Sequence, residues 1–256
     1  MIDQAPGMAP RANEFDFSGK AVLVIGGSSG IGNATAQAFR RRGARVHVTG
    51  TRSGASDYLP ENGSDLSGLS YSCLDVSRPG AVSVSAPGFE ALDVLVLSQG
   101  AVRYNRKEFE PSVFGEVLQV NLNSLMECAA AFHAPLARAR GALITISSVG
   151  GRRVTRGNPA YAASKAGAIH LTAALANAWA GDGIRVNGVA PGLVATKMTE
   201  VTTANPARLA ERLKGIPLKR LGAAEEIAAI VLFLASPLSS YIIGQTIVAD
   251  GGRSLA

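Results

Sequence analysis

Apolar residues along this chain come in short unbroken runs separated by stretches of helical spacing. The runs 21–25, 45–49, 71–74, 93–97, 142–147, 184–189 and 246–249 predict strands. The stretches 31–42, 111–139, 159–180 and 224–234 predict helices. Strands that read as continuous apolar runs are buried on both faces, as in a parallel sheet covered by helices. The pattern therefore predicts an α/β fold: a doubly wound parallel sheet of about seven strands with helices on both faces. Three regions stand apart. Residues 53–72 are polar, rich in Gly and Ser and weakly patterned. Residues 77–90 hold Pro79, Gly80, Pro87 and Gly88, which leaves room only for a short or broken helix. Residues 195–219 read as irregular to helical and mobile. Residues 1–18 read as a loose arm ahead of one domain spanning 19–256.

Composition agrees with this picture and removes several function classes. Of the 256 residues 47% are hydrophobic and only 5% aromatic, with 29 glycines, which suits a helix-covered parallel sheet. The net charge is 25 − 19 = +6, but the basic residues are scattered. The dense runs are Arg40, Arg41 and Arg42, and Arg152 and Arg153 with Arg156. No basic surface interleaved with aromatics appears, so no nucleic-acid partner is expected. Cys73 and Cys128 form neither a disulfide framework nor a metal-ligand spacing, so two reduced, half-buried thiols and no metal are expected. The first residues carry Asp3, Pro6 and Pro10 and no apolar core, unlike a signal peptide. No stretch reaches the roughly 18 apolar residues of a membrane span. No membrane partner and a cytoplasmic location are the expectation.

Candidate chemistry begins after the first strand. Gly26-Gly27-Ser28-Ser29-Gly30-Ile31-Gly32 joins it to the first helix. Glycines let the backbone turn sharply and approach a ligand, and a helix start offers free N–H groups and partial positive charge to a pyrophosphate. The spacing Gly-x-x-x-Gly-x-Gly is a variant of the dinucleotide fingerprint, and makes the predicted sheet Rossmann-type. By itself it is also a tight structural turn. After the second strand the chain reads Gly50-Thr51-Arg52, with no acid to bind ribose hydroxyls and with an Arg that suits a 2′-phosphate. This favours NADP over NAD, although Arg52 also reads as a solvated surface arginine.

The second centre is Tyr161-Ala162-Ala163-Ser164-Lys165, at the start of an Ala-rich helix. Residues four apart share a helix face. Tyrosine ionises near pH ~10, and a neighbouring ammonium lowers that value toward useful acid/base chemistry. The pair alone is common in helices. Its context strengthens it: Ser148 follows a buried strand end, facing the cleft where such sheets bind ligands. Asn121 falls mid-helix, where Asn is disfavoured, and hints at a role beyond propensity.

Together these motifs resemble the short-chain dehydrogenase/reductase family from about Phe17 to Gly252, especially its 3-oxoacyl-reductase-like members. The resemblance extends to Asp75-Val76, Asp93 to Val96, Pro191-Gly192, Pro217 to Arg220 and Asp250-Gly251-Gly252. It implies hydride transfer between a nicotinamide cofactor and a secondary alcohol or ketone. Tyr161 is then the general acid/base, and Lys165 holds the nicotinamide ribose while lowering the tyrosine pKa. Ser148 positions the reacting oxygen, and Asn121 anchors a water in a relay with Lys165. Gly26, Ser28, Ser29, Gly30 and Ile31, then Thr51 and Arg52, and Ser98 and Gly100 contact the cofactor. Asp75 and Val76 meet adenine, and Pro191, Gly192, Val194 and Thr196 line the nicotinamide side.

The chain departs from the family pattern at three places. Leu97-Ser98-Gln99-Gly100 replaces the usual Asn-Asn-Ala-Gly, Ile25 replaces a Thr, and the interval from Asp75 to Asp93 is several residues short. The last departure truncates a helix that often joins subunits, which weakens but keeps the expectation of a homo-oligomer, a tetramer or dimer. The substrate is expected to be a small carbonyl or alcohol. A 3-oxoacyl group on an acidic carrier protein is an alternative, with Arg138, Arg140, Arg152, Arg153 and Arg156 as possible attractors. A non-catalytic dinucleotide-binding scaffold remains a different class, since fold does not imply function.

Overall fold

The computed structural model describes residues 14–60 and 63–255. Strands β1 (Ala21–Ile25), β2 (Arg45–Gly50), β3 (Ser70–Cys73), β4 (Val94–Leu97), β5 (Ala142–Ile146), β6 (Arg185–Pro191) and β7 (Thr246–Ala249) form one sheet. Every pairing is parallel, in the order β3-β2-β1-β4-β5-β6-β7. All residues of β1, β4 and β5 are buried, which is why they read as unbroken apolar runs. The winding direction reverses between β1 and β4. Beyond the carboxyl ends of those strands lies the crevice where such sheets take ligands.

The helices are α1 (Gly30–Arg40), α2 (Ala81–Ser85), α3 (Pro111–Leu118), α4 (Ser124–Ala131), α5 (His133–Ala139), α6 (Pro159–Trp179), α7 (Glu200–Thr203), α8 (Pro206–Lys214) and α9 (Ala224–Ala235). They cover both faces. On one, Phe39 of α1 and Val231 of α9 pack with Val24 and Ile144. On the other, Leu125 of α4 and Ala168 of α6 pack with Leu23 and Leu95.

Three details differ from the sequence expectations. The stretch 111–139 is not one helix. A π-turn over Gln119–Asn123 separates α3 from α4, and the chain bends again at Phe132 (φ −102°, ψ 8°). Pro135 has no N–H for the carbonyl four residues back, so a straight helix cannot run through. Residues 14–18 are not loose: Phe17 is buried edge-on against Phe39, with ring centroids 4.8 Å apart, and its N–H bonds the Arg42 carbonyl. Residues 1–13 of the expected arm lie outside the described residues. The thiols are not both half-buried; Cys128 is buried and Cys73 exposed. Desolvation pushes the Cys128 thiol up to about 12.

The truncation expected between Asp75 and Asp93 is real. Helix α2 has five residues. Beside it an edge-to-face row of His47, Phe89 and Phe132, with successive ring centroids 6.2 Å apart, fills space against the sheet. Residues 195–219 contain α7 and α8, the latter started by Asn205, whose side chain accepts the Arg208 N–H.

Candidate active site

A cavity of about 520 Å³ opens at the switch point. Its floor is the glycine turn. Gly26 has φ +73°, and a Cβ there would meet the Gln99 backbone N at 2.8 Å. A Cβ on Gly32 would lie 2.3 Å from the Gly26 carbonyl oxygen. Only glycine fits both positions. The first turn of α1 carries no acidic residue, and the Ser29 side chain makes no cap bond there. The helix start therefore presents its N–H groups and partial positive charge to the cavity.

Most expected cofactor residues line this one space. Gly26, Ser28, Ser29, Gly30 and Ile31 come from the turn, Thr51 from beyond β2, and Asp75 and Val76 from beyond β3. Ser98 and Gly100 follow β4; Pro191, Gly192, Val194 and Thr196 end or follow β6. The Asp75 carboxylate accepts the Ser77 hydroxyl and N–H, which with Arg78 hold it below the usual carboxylate range. Arg52 is the exception. Its guanidinium stacks 4.9 Å from the Tyr58 ring centroid and bonds the Asp57 carbonyl, outside the lining of the cavity. A short local turn captures the side chain before it reaches the cleft.

At the other end of the cavity stand Ser148, Tyr161 and Lys165. Ser148 ends the extended segment after β5, where its hydroxyl accepts the Gly150 N–H at 3.0 Å and bonds the Tyr161 phenol. Lys165 is buried on α6, and its Nζ donates to the Ile146 carbonyl at 2.9 Å. Desolvation pushes the ammonium down to about 8. The expected lowering of the Tyr161 pKa by Lys165 does not appear. Burial pushes the phenol up, the Ser148 bond opposes it, and Tyr104 and the Glu108 carboxylate push it further up. Nζ is engaged by Ile146 and lies 5.8 Å from the Tyr161 ring centroid.

Asn121 is fully buried in the π-turn, behind the wall of the cavity. Its Oδ1 accepts the Ala101 N–H at 2.7 Å, and Nδ2 donates to the Ala101 carbonyl at 2.8 Å and to Ser164 Oγ at 3.0 Å. Those bonds use both Nδ2 hydrogens and one of the two Oδ1 lone pairs. The Asn ties the loop after β4 to α6. π-turns are frequent at functional sites, and a helix-disfavoured Asn was the local signal for this one.

Three participants carried no local signal. Ser164 Oγ relays from Asn121 to the Tyr161 carbonyl, at 2.8 Å. Tyr104 donates its hydroxyl to the Met198 carbonyl at 2.8 Å, joining the two segments that roof the cavity. Glu108 is wholly buried beneath Tyr161 Nα and Arg103 Nα. At the departure after β4, Gln99 Nε2 donates to Ser124 Oγ at 3.1 Å, while its Oε1 has no hydrogen-bond partner among the described residues.

A family model described as enoyl-(acyl carrier protein) reductase matches residues 25–254. The 3-oxoacyl-[acyl-carrier-protein] reductase FabG of Chlamydia muridarum is 39% identical over 243 residues, covering 92% of this chain and 97% of the relative. The chain belongs to the short-chain dehydrogenase/reductase family. The FabG protein of Escherichia coli strain K12 is 37% identical, covering 93% of this chain and 98% of its own. Among solved short-chain dehydrogenase/reductase relatives, a putative 2-deoxy-d-gluconate 3-dehydrogenase of Agrobacterium tumefaciens with bound NADP superposes with a TM-score of 0.85 at 32% identity. That match covers 95% of this chain and 100% of the other. As a family member the protein is an oxidoreductase acting on CH–OH groups with a nicotinamide dinucleotide.

Proposed function

We propose that the protein interconverts a secondary alcohol and a ketone, with NADP preferred over NAD and Tyr161 as the general acid/base. The observation that carries this reading is the convergence of Ser148, Tyr161 and Lys165 on one end of a cavity whose other end is a pyrophosphate-compatible glycine turn. The fit to a dinucleotide is physical: a glycine floor that a Cβ would obstruct, and a helix start free of acids. When bound, the nicotinamide supplies or accepts the hydride.

The chain's own residues handle the oxygen and its proton. Ser148 donates a hydrogen bond that holds the reacting carbonyl oxygen. Tyr161 delivers its phenolic proton to that oxygen in reduction and takes it back in oxidation. Its raised pKa keeps the phenol protonated at neutral pH, which suits the reductive direction. Lys165 would hold the cofactor ribose, its Nζ already oriented by the Ile146 carbonyl on the cavity side of α6. Asn121 is a positioning residue for both. NADP preference is supported by Gly50 and Thr51, which bring no carboxylate to the end of β2, and by the NADP-bound relative. A homo-oligomer is also proposed, supported by the partly exposed edge strand β7 beside the fully exposed Tyr241.

A panel of ketones and alcohols, followed by cofactor absorbance with NADP and NAD, tests this. Tyr161→Phe is expected to cut turnover by about 10²–10⁴-fold with cofactor binding retained. Cofactor binding without turnover on any substrate would instead mark a dinucleotide-binding scaffold. The name shared by the FabG relatives favours a second reading, reduction of a 3-oxoacyl thioester on a carrier protein. Failure to turn over such a thioester removes it.

A further inference from the structure

Glu108 is fully buried, yet the chemistry above does not use it. Each carboxylate oxygen has a partner: Oε1 accepts the Arg103 N–H at 2.8 Å, and Oε2 accepts the Tyr161 N–H at 2.9 Å. Tyr161 is the third residue of α6, so its amide is one of the first-turn donors without an intrahelical acceptor. The N-cap residue Asn158 makes no side-chain cap bond. Glu108 supplies the cap from another segment and sets a carboxylate at the positive end of the helix dipole. Asn158 Nδ2 meanwhile donates to the Arg103 carbonyl at 2.9 Å, so both backbone groups of Arg103 are tied to the start of α6.

The loop is bent to achieve this. Asn105 and Arg106 are both left-handed, with φ of 58° and 59°. They turn the chain back into a 3-10 turn, Lys107–Phe109, that buries Glu108 and leaves Phe109 outside under the Arg106 guanidinium. Left-handed non-glycine residues and a buried carboxylate both cost free energy. A loop that merely connected β4 to α3 would need neither.

We propose that Glu108 is a positioning residue of the reaction: its buried carboxylate holds the Tyr161 end of α6 against the 101–109 loop and so fixes where the phenol stands in the cavity. The inference rests on the proposed role of Tyr161. Around the phenol, Tyr104 and Glu108 of the loop disfavour its ionisation, and Ser148 after β5 favours it. Lys165 lies on its own helix, and Arg103 and Lys197 line the same cavity.

Two variants test the brace. Glu108→Gln keeps one carbonyl acceptor for the two N–H donors, and Glu108→Asp withdraws both acceptors by one methylene. Each should lower kcat for ketone reduction, the Gln variant roughly tenfold, with KM and the NADP dissociation constant unchanged within about twofold, because the phenol is misplaced while the cofactor turn is untouched. Backbone amide exchange at Tyr161 should quicken in both, since its N–H loses its acceptor. A folded variant with wild-type kcat and wild-type exchange at Tyr161 overturns the inference, and so does one whose kcat falls only in step with cofactor affinity. If the Gln variant does not fold, the Asp variant decides on the same readings. Absence of turnover in the wild type would defeat the proposed function, and amide exchange at Tyr161 would still decide the role of Glu108.

Discussion

The two ends of the cleft are made of different material. The dinucleotide end is backbone: Gly26, Gly30 and Gly32 at a helix start, all within seven residues of one another. The reaction end is side chain: Glu108, Asn121, Ser148, Tyr161 and Lys165, drawn from four separate stretches and held by buried or part-buried hydrogen bonds. A backbone site needs only the right local conformation, and glycine provides it. A side-chain site needs each rotamer locked by a neighbour, and each neighbour must itself be satisfied once buried.

That contrast can be broken from either side. The largest effect is expected at the backbone end. Gly32→Ala places a Cβ 2.3 Å from the Gly26 oxygen, which no rotamer relieves. Cofactor affinity should fall by about 10²-fold or more, because the phosphate-facing turn must open. Fluorescence titration with NADPH measures this, and near-native affinity would mean that the turn is plastic.

At the reaction end, Lys165→Met should cut turnover by about 10²-fold or more, yet stabilise the fold. The sign follows from linkage. Burial lowers the Lys165 pKa to about 8, against 10.5 for the free side chain, so the unfolded chain binds the proton more tightly. The cost of the buried ammonium is fully present below pH 8 and fades as pH rises toward 10.5. Removing it should add about 1–3 kcal/mol at pH 7 and much less at pH 10. Urea unfolding at both pH values checks this; a destabilised variant at pH 7 would show that the bond to the Ile146 carbonyl outweighs desolvation. The wild type should likewise lose kcat/KM for ketone reduction as pH rises through about 8, because Lys165 loses the charge with which it would hold the cofactor ribose.

Asn121→Ala takes the side-chain partner from the part-buried Ala101 N–H and carbonyl and from Ser164 Oγ. A loss of about 2–3 kcal/mol and a lower kcat are expected, read from urea unfolding and steady-state rates. The smallest effect belongs to Arg52→Ala. With its guanidinium held by Asp57 and Tyr58, the ratio of kcat/KM for NADP over NAD should change by less than about threefold. A tenfold fall would place that side chain on the 2′-phosphate.

Much of this was legible in the chain. The seven strands fall close to their expected runs, and β1, β4 and β5 most plainly so, because a strand buried on both faces must be apolar throughout. The shortened α2 was legible in Pro79, Gly80, Pro87 and Gly88. The glycine turn and the Tyr161–Lys165 spacing are local, and local features survive in one dimension. What could not be read was partnership. Nothing near Glu108 in sequence announces that it caps a helix beginning 51 residues later at Pro159, and nothing near Arg52 announces that Tyr58 intercepts it.

The amino-acid sequence by itself determined the strands, the sheet class, the glycine cradle and the residue types of the reaction end, because periodicity, chain stiffness and side-chain chemistry act over a few residues. Only the tertiary structure decided what each polar group is bonded to. It turned Asn121 into a brace and gave Glu108 its place at the helix start. It also left the Tyr161 phenol raised in pKa, because desolvation and bond satisfaction depend on everything that packs around a group.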